Sequence, residues 1–163
     1  MDQNDIKTLK TAILNEVEGE KFYKSAAKNA KDPDAAKSFL YLAEDEIKHQ
    51  QMLKNILKRT KEGSDFSIED LDLEETSSPA IFKDPETGKT KYATEISVFH
   101  IAILMEKASM DFYRQAAKST TLAAARSLYK FLAEWESKHL DSMEKIYDSL
   151  SEEWFERQEF SPS

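Results

Sequence analysis

Cysteine is absent from the chain, which excludes disulfides, iron–sulfur clusters, thiolate zinc sites and cysteine nucleophiles. Glycine and proline are scarce, with 3 and 4 residues among 163, so the punctuation of a turn-rich β architecture is missing. No run of about 18 apolar residues occurs, and MDQNDIKTLK lacks the basic start and apolar stretch of a secretory signal. A soluble, cytoplasmic protein without membrane contact is expected. Basic residues form no cluster and the formal net charge is -8, so the positive footprint that a nucleic acid requires is missing as well.

What is present is 40% hydrophobic and 33% charged, the balance of long amphipathic helices, and the length suits one domain spanning 1–163. The first helix is expected from near Asn4, with Asp5 in its first turn, to about Ala30. Asp32 as N-cap and Pro33 at the first helical position open a second helix, which runs to about Lys61 and stops at Gly63. Residues 62–93 hold Pro79, Pro85 and the turn DPETGK without a sustained helical period, and read as a long crossover. A third helix is expected from near Thr94 to about Lys118. Ser119, Thr120 and Thr121 offer the next cap, and a fourth helix runs to about Ser149. Ser151, followed by Glu152 and Glu153, offers a cap for a short terminal helix within 150–163 that carries Trp154 and Phe155.

The two halves match at a fixed offset of 90 residues. AILNEVEGEKFYKSAAK at 12–28 pairs with AILMEKASMDFYRQAAK at 102–118, identical at nine of seventeen positions. LAEDEIKH at 42–49 pairs with LAEWESKH at 132–139. Two copies of a helix pair, 5–61 and 94–149, are therefore expected to pack about a pseudo-two-fold axis.

The buried stripe of a bundle helix alternates steps of three and four. It reads Leu9, Ile13, Glu16, Glu20, Tyr23 in the first helix and Phe99, Ile103, Glu106, Met110, Tyr113 in the third. In the second it reads Phe39, Leu42, Glu46, His49, Leu53, and in the fourth Tyr129, Leu132, Glu136, His139, Met143. Each apolar seam is interrupted near its middle by ionisable residues, and an uncompensated carboxylate in an apolar core costs several kcal/mol. Four carboxylates carry four negative charges, two divalent cations balance them, and two neutral imidazoles add nitrogen donors. Glu16, Glu46, His49, Glu106, Glu136 and His139 are thus the candidate ligands of a metal pair. An oxygen and nitrogen set without sulfur suits iron or manganese, so two iron ions are expected, with manganese or zinc as possible substitutes. Glu46 and His49, like Glu136 and His139, lie three residues apart on one face and reach the same cluster.

EVEGEKFY at 16–23, EIKH at 46–49, EKASMDFY at 106–113 and ESKH at 136–139 together resemble the rubrerythrin-like branch of the ferritin-like superfamily over about residues 5–150. The resemblance implies an all-α, ferritin-like four-helix bundle in which a Glu-x-x-His motif lies on each of two helices and a single Glu on each of the others. It implies that Glu46 and Glu136 bridge two metals, that Glu16 and Glu106 are terminal ligands, and that each histidine holds one metal. It also implies reaction of a reduced di-iron site with hydrogen peroxide or dioxygen. The rubredoxin domain of many rubrerythrins has no counterpart here, so electrons would come from an external donor. Where those proteins place a second glutamate, three residues after the third-helix ligand, this chain has Ser109. The symmetric six-residue set is also similar to that of bacterioferritin.

Three functions fit this reading: an oxidoreductase acting on peroxide or dioxygen, a ferroxidase serving iron storage or delivery, and a non-enzymatic interaction module stapled by metal. A homodimer is the expected assembly, on the commonness of isologous pairing. Glu20 reads either as an additional ligand or as a carboxylate meeting solvent or a basic neighbour. Tyr23 and Tyr113, seven residues after Glu16 and Glu106, read either as hydrogen-bond donors to those carboxylates or as ordinary core tyrosines. His100 is turned away from the ligand face, and Glu44 and Glu134 face solvent. Trp135, Trp154, Phe155 and Phe160 lie off the stripes, and cover an interface or pack the terminal segment.

Overall fold

The computed structural model describes residues 3–60, 76–82 and 95–159, with backbone alone at 60 and 157–159. Four helices make up the bundle: α1 (Gln3–Asn29), α2 (Pro33–Thr60), α3 (Glu95–Ser119) and α4 (Ala123–Glu159). The start of α2 follows the sequence expectation, since the Ala35 amide donates to Asp32 Oδ2 at 3.0 Å and Pro33 needs no amide partner in the first turn. The C-terminal end differs from expectation. Residues 150–159 continue α4 without a break, because no glycine or proline lies between Thr120 and Ser161 to end the helix, and Ser151 sits inside it rather than capping a new one. Phe160 and most of the expected crossover lie outside the described residues.

Short connections make α1 antiparallel to α2 and α3 antiparallel to α4. Across the pairs, the Tyr23 hydroxyl reaches Glu106 and the Tyr113 hydroxyl reaches Glu16. Because the higher number on one helix meets the lower on the other, α1 and α3 are antiparallel too. It follows that α2 and α3 are parallel, so the chain must return the full height of the bundle between them. That height is about 40 Å for helices of this length at 1.5 Å per residue. The residues from 61 to 94, with a reach of up to about 3.3 Å each, are more than enough to cover it.

Repeat symmetry also governs the helix ends. Asp5 takes hydrogen bonds from Thr120 Oγ1 at 2.6 Å and the Thr121 amide at 3.2 Å. Glu95, its equivalent ninety residues on, accepts from the amides of Lys31 and Asp32, the latter at 2.8 Å. Each acid in a first turn thus fastens the loop between the other two helices of its end, and each loop supplies the amides that an anion at that position needs.

Two apolar clusters fill the interior. Leu9, Ile13, Leu53, Tyr113, Tyr129 and Leu132 belong to one; Tyr23, Phe39, Leu42, Phe99, Ile103 and Met143 belong to the other, where Phe39 and Phe99 stack with ring centroids 4.5 Å apart. Burying such side chains contributes about 1.5–3 kcal/mol each. Between the clusters lies the layer of ionisable residues, carried at mid-height by all four helices. Part of the crossover, 76–82, runs beside α1: Ser78 Oγ donates to Glu18 Oε2 at 2.8 Å, and Phe82 is buried against Phe22 and Tyr23.

Candidate metal centre

All six residues singled out from the stripes meet in that layer. Glu16 and Glu106 are 0% exposed, Glu46 and Glu136 1%, His49 0% and His139 5%, so no carboxylate of the group is neutralised by solvent. One donor atom each from Glu16, Glu46, His49 and Glu136 falls within a 4.8 Å span, and one each from Glu46, Glu106, Glu136 and His139 does the same. The two sets share Glu46 and Glu136. His49 Nδ1 faces Glu16 Oε2 at 3.0 Å, Glu136 Oε1 at 3.3 Å and Glu46 Oε2 at 3.5 Å. His139 Nδ1 faces Glu136 Oε2 at 3.0 Å.

Hydrogen bonding leaves this group incomplete. Both oxygens of Glu46, Oε2 of Glu106 and Oε1 of Glu136 are buried without a hydrogen-bond partner among the described residues. Unpaired buried oxygens of this kind are rare, and each calls for a compensating group. Divalent cations answer both needs, with oxygen and neutral imidazole donors of the type that iron and manganese accept. The residues present therefore fit a metal pair.

Electrostatics of the metal-free cluster point the same way. Burial, then the nearby Glu16 and Glu136 carboxylates, push Glu46 well above the usual carboxylate range, and burial followed by Glu136 does the same to Glu106. For His49 burial acts to depress the pKa, but the carboxylates of Glu136, Glu16 and Glu46 more than reverse it and the net shift is upward. Burial likewise opposes the upward shift of His139, which Asp45 and Glu136 impose. Glu136 goes down despite its burial, because His139 bonds its Oε2 and the His49 imidazole lies beside its Oε1. Without cations, these surroundings favour retained protons on Glu46, Glu106, His49 and His139.

Both tyrosines donate to carboxylates of the cluster, but crosswise. Tyr23 bonds Glu106 rather than Glu16 of its own helix, and Tyr113 bonds Glu16 rather than Glu106. Seven residues put a tyrosine about 10 Å along its own helix from the glutamate it follows, whereas the antiparallel neighbour brings the other glutamate alongside. Asn15, which the stripe omits, is fully buried and donates Nδ2 to Glu16 Oε1 at 3.2 Å and to Ser109 Oγ at 3.0 Å. Its repeat equivalent is Met105, so the internal symmetry gave no signal for it.

Asp45 is the second residue that the stripe omits. Buried on the α4 side of α2, it receives Lys48 Nζ at 2.6 Å and Trp135 Nε1 at 3.1 Å, and lies 2.9 Å from His139 Nε2. Burial raises its pKa, but His139, Lys48 and Trp135 outweigh that and hold it well below the usual range. The available clue was chemical: a ligating histidine usually gives its outer N–H to a carboxylate. Trp135 accordingly lies half-buried beside the centre, whereas Trp154 and Phe155 are exposed. Glu20 takes the second of its two readings, accepting from Lys24 Nζ at 2.6 Å and Gln50 Nε2 at 2.7 Å. His100, Glu44 and Glu134 are exposed, with His100 tilted against Tyr147.

A four-helix bundle with a long return between its second and third helices, and a buried glutamate and histidine layer at mid-height, defines the ferritin-like class. Within that class, the family model for rubrerythrin matches residues 7–147, and the chain belongs to this family of di-iron carboxylate proteins. No curated protein matches it. Among solved structures it is similar to a hypothetical protein from Pyrococcus furiosus, with a TM-score of 0.67 and 21% identity over 91% of this chain and 90% of that one. It is also similar to a dodecameric thioferritin, the bacterioferritin-related protein from Bacteroides fragilis. There the TM-score is 0.68 and the identity 18%, over 99% of this chain and 94% of the other. At these identities the likeness establishes the fold. No helix among the described residues is long and apolar enough to cross a membrane.

Proposed function

We propose that the chain is a rubrerythrin-like di-iron oxidoreductase, reducing hydrogen peroxide or dioxygen with electrons from an external donor. The observation that carries this reading is the overlap of the two four-residue sets in Glu46 and Glu136. These two would bridge the metals, while Glu16 with His49 and Glu106 with His139 would complete one position each. When bound, a ferrous pair supplies two reducing equivalents and coordination positions open to an oxidant. The protein's own residues set the surroundings. Tyr113 and Asn15 hold Glu16, Tyr23 holds Glu106, and the apolar clusters on either side keep bulk water from the layer. Reduction of one peroxide to two waters consumes two electrons and two protons. The bundle has no cysteine for a cluster, and in this reading the electrons come from a donor outside it.

Stopped-flow mixing of the anaerobic, ferrous-loaded protein with peroxide tests the proposal. Oxidation at least about tenfold faster than that of free ferrous ion is expected, and loss of that acceleration in Glu46→Gln, a barrier change of about 1.4 kcal/mol or more. Oxidation no faster than in free solution would sink the enzymatic reading, leaving the metals as a structural staple.

A second reading, ferroxidase activity for iron storage or delivery, is supported by the dodecameric thioferritin among the structural relatives. Light scattering separates the two: a dimer that retains two irons per chain favours the oxidoreductase, whereas a large shell that takes up many irons per chain favours storage.

A further inference from the structure

Asp45 and Trp135 occupy equivalent places in the repeat, one residue ahead of Glu46 and Glu136. The crossing of α2 and α4 that brings Asp45 to His139 also brings Trp135 to His49, so the two histidines have unlike neighbours. His139 turns Nδ1 to Glu136 and sets Nε2 at 2.9 Å from Asp45 Oδ2. Trp135 Nε1 lies 3.1 Å from that same oxygen and 3.1 Å from His139 Nε2. Two N–H groups thus converge, and Asp45 Oδ2 is the acceptor they share. Lys48 Nζ fixes the other oxygen of Asp45 at 2.6 Å. His49 also turns Nδ1 to carboxylates, but its buried Nε2 has no hydrogen-bond partner among the described residues. The Trp135 and His49 rings lie nearly perpendicular, with centroids 5.1 Å apart and an interplanar angle of 81°.

Resting on the metal-centre reading above, we propose that the two metal positions are unequal: the position between Glu106 and His139 binds a divalent cation more tightly than that between Glu16 and His49, and Asp45 is the positioning residue responsible. A carboxylate on the outer nitrogen of a ligating imidazole fixes the tautomer, holds the ring in place and raises the donor strength of the inner nitrogen. His139 has all three benefits. When His49 ligates through Nδ1, its outer N–H stays buried and unpaired, which penalises the ligating tautomer. The cations therefore enter in order, His139 side first, and the His49-side ion is the exchangeable one.

Anaerobic titration of the metal-free full chain with ferrous iron, against a chelator of known affinity, tests this. Two steps separated by about tenfold or more are expected; Asp45→Asn lowers the tighter constant by about 10–100-fold and moves the weaker by less than about threefold, so that the steps merge. Trp135→Phe leaves Asp45 on His139 and keeps the steps apart. One equivalent of diamagnetic zinc shifts the imidazole resonances of His139 before those of His49, with circular dichroism reporting the folded fraction of each variant. Equal constants in the unmodified chain, the reverse order of imidazole shifts, or an Asp45→Asn variant that weakens both steps alike would overturn the inequality and leave the metal centre standing. No binding of ferrous iron at all would overturn both.

Discussion

Glu46 and Glu106 keep their protons above the ordinary carboxylate range in the metal-free layer, through burial and then neighbouring carboxylates, and the surrounding carboxylates hold protons on His49 and His139 against their burial. All four bind protons more tightly folded than unfolded. Their stabilising contribution is complete below the ordinary values, 4.5 for glutamate and 6.5 for histidine, and is lost as pH rises through the folded ones. Asp45 and Glu136 shift downward, so their contribution is lost only as pH falls below their ordinary values of 3.8 and 4.5. From about pH 5 to 8 the metal-free protein is therefore expected to lose thermal stability. Ferrous iron needs these groups deprotonated and binds better as pH rises. Anaerobic melting curves should show the gain in Tm on adding iron widening across that range, and a gain that narrows would contradict the assignment. At this scale the sequence was legible where periodicity applied, since each of the six candidate ligands sits where the three-and-four spacing put it. Asp45 lies one residue off that spacing, and its burial depends on how α2 faces α4. The tyrosine partners depend in the same way on helix direction, which spacing along one chain does not contain.

Helix-level features explain how the layer is held open. Gly19, inside α1, lies against both Phe82 and Glu46: an added Cβ would stand 3.2 Å from the Phe82 ring and 3.3 Å from Glu46 Cδ. Alanine in a helix interior is favoured over glycine by about 0.5–1 kcal/mol, so Gly19→Ala is expected to leave helical content intact. The cost falls on the neighbours, which must yield a few tenths of an ångström. Metal affinity is expected to drop as the Glu46 carboxylate is displaced, a drop that chelator competition measures. Unchanged affinity would show that the crossover ring alone gives way. The equivalent position in the second half is Ser109, whose hydroxyl meets Asn15 instead. Helix starts were readable from their chemistry, as Asp32 and Pro33 demonstrate. The end of α4 was not, because a serine followed by two glutamates is equally at home inside a long helix when nothing nearby breaks it.

Across the whole molecule, the ninety-residue offset relates the two crosswise tyrosine bonds and the two acid-to-loop contacts at the helix ends. The bundle is expected to be stable without its charged layer, since replacing buried ions by apolar groups of similar volume is often neutral or stabilising by about 1–4 kcal/mol. A variant with leucine at Glu16, Glu46, His49, Glu106, Glu136 and His139 and phenylalanine at Tyr23 and Tyr113, which leaves no member of the layer without its partner, is therefore expected to melt at or above the metal-free parent in calorimetry and to gain nothing from added iron. A large fall in Tm would mean that the carboxylates stabilise the fold by themselves. The ninety-residue offset marked the two helix pairs in advance and the stretch between them read as a long crossover, whereas the parallel relation of α2 and α3 follows from the crosswise tyrosine bonds. The departures from symmetry, Asp45 against Trp135 and Gly19 against Ser109, were visible as mismatched letters, but their meaning required the neighbours that packing supplies. Anomalous diffraction at the iron edge, from crystals prepared anaerobically with ferrous iron, tests the metal pair most directly. Two peaks are expected, one enclosed by Glu16, Glu46, His49 and Glu136 and the other by Glu46, Glu106, Glu136 and His139; a core without anomalous density under saturating iron would contradict it.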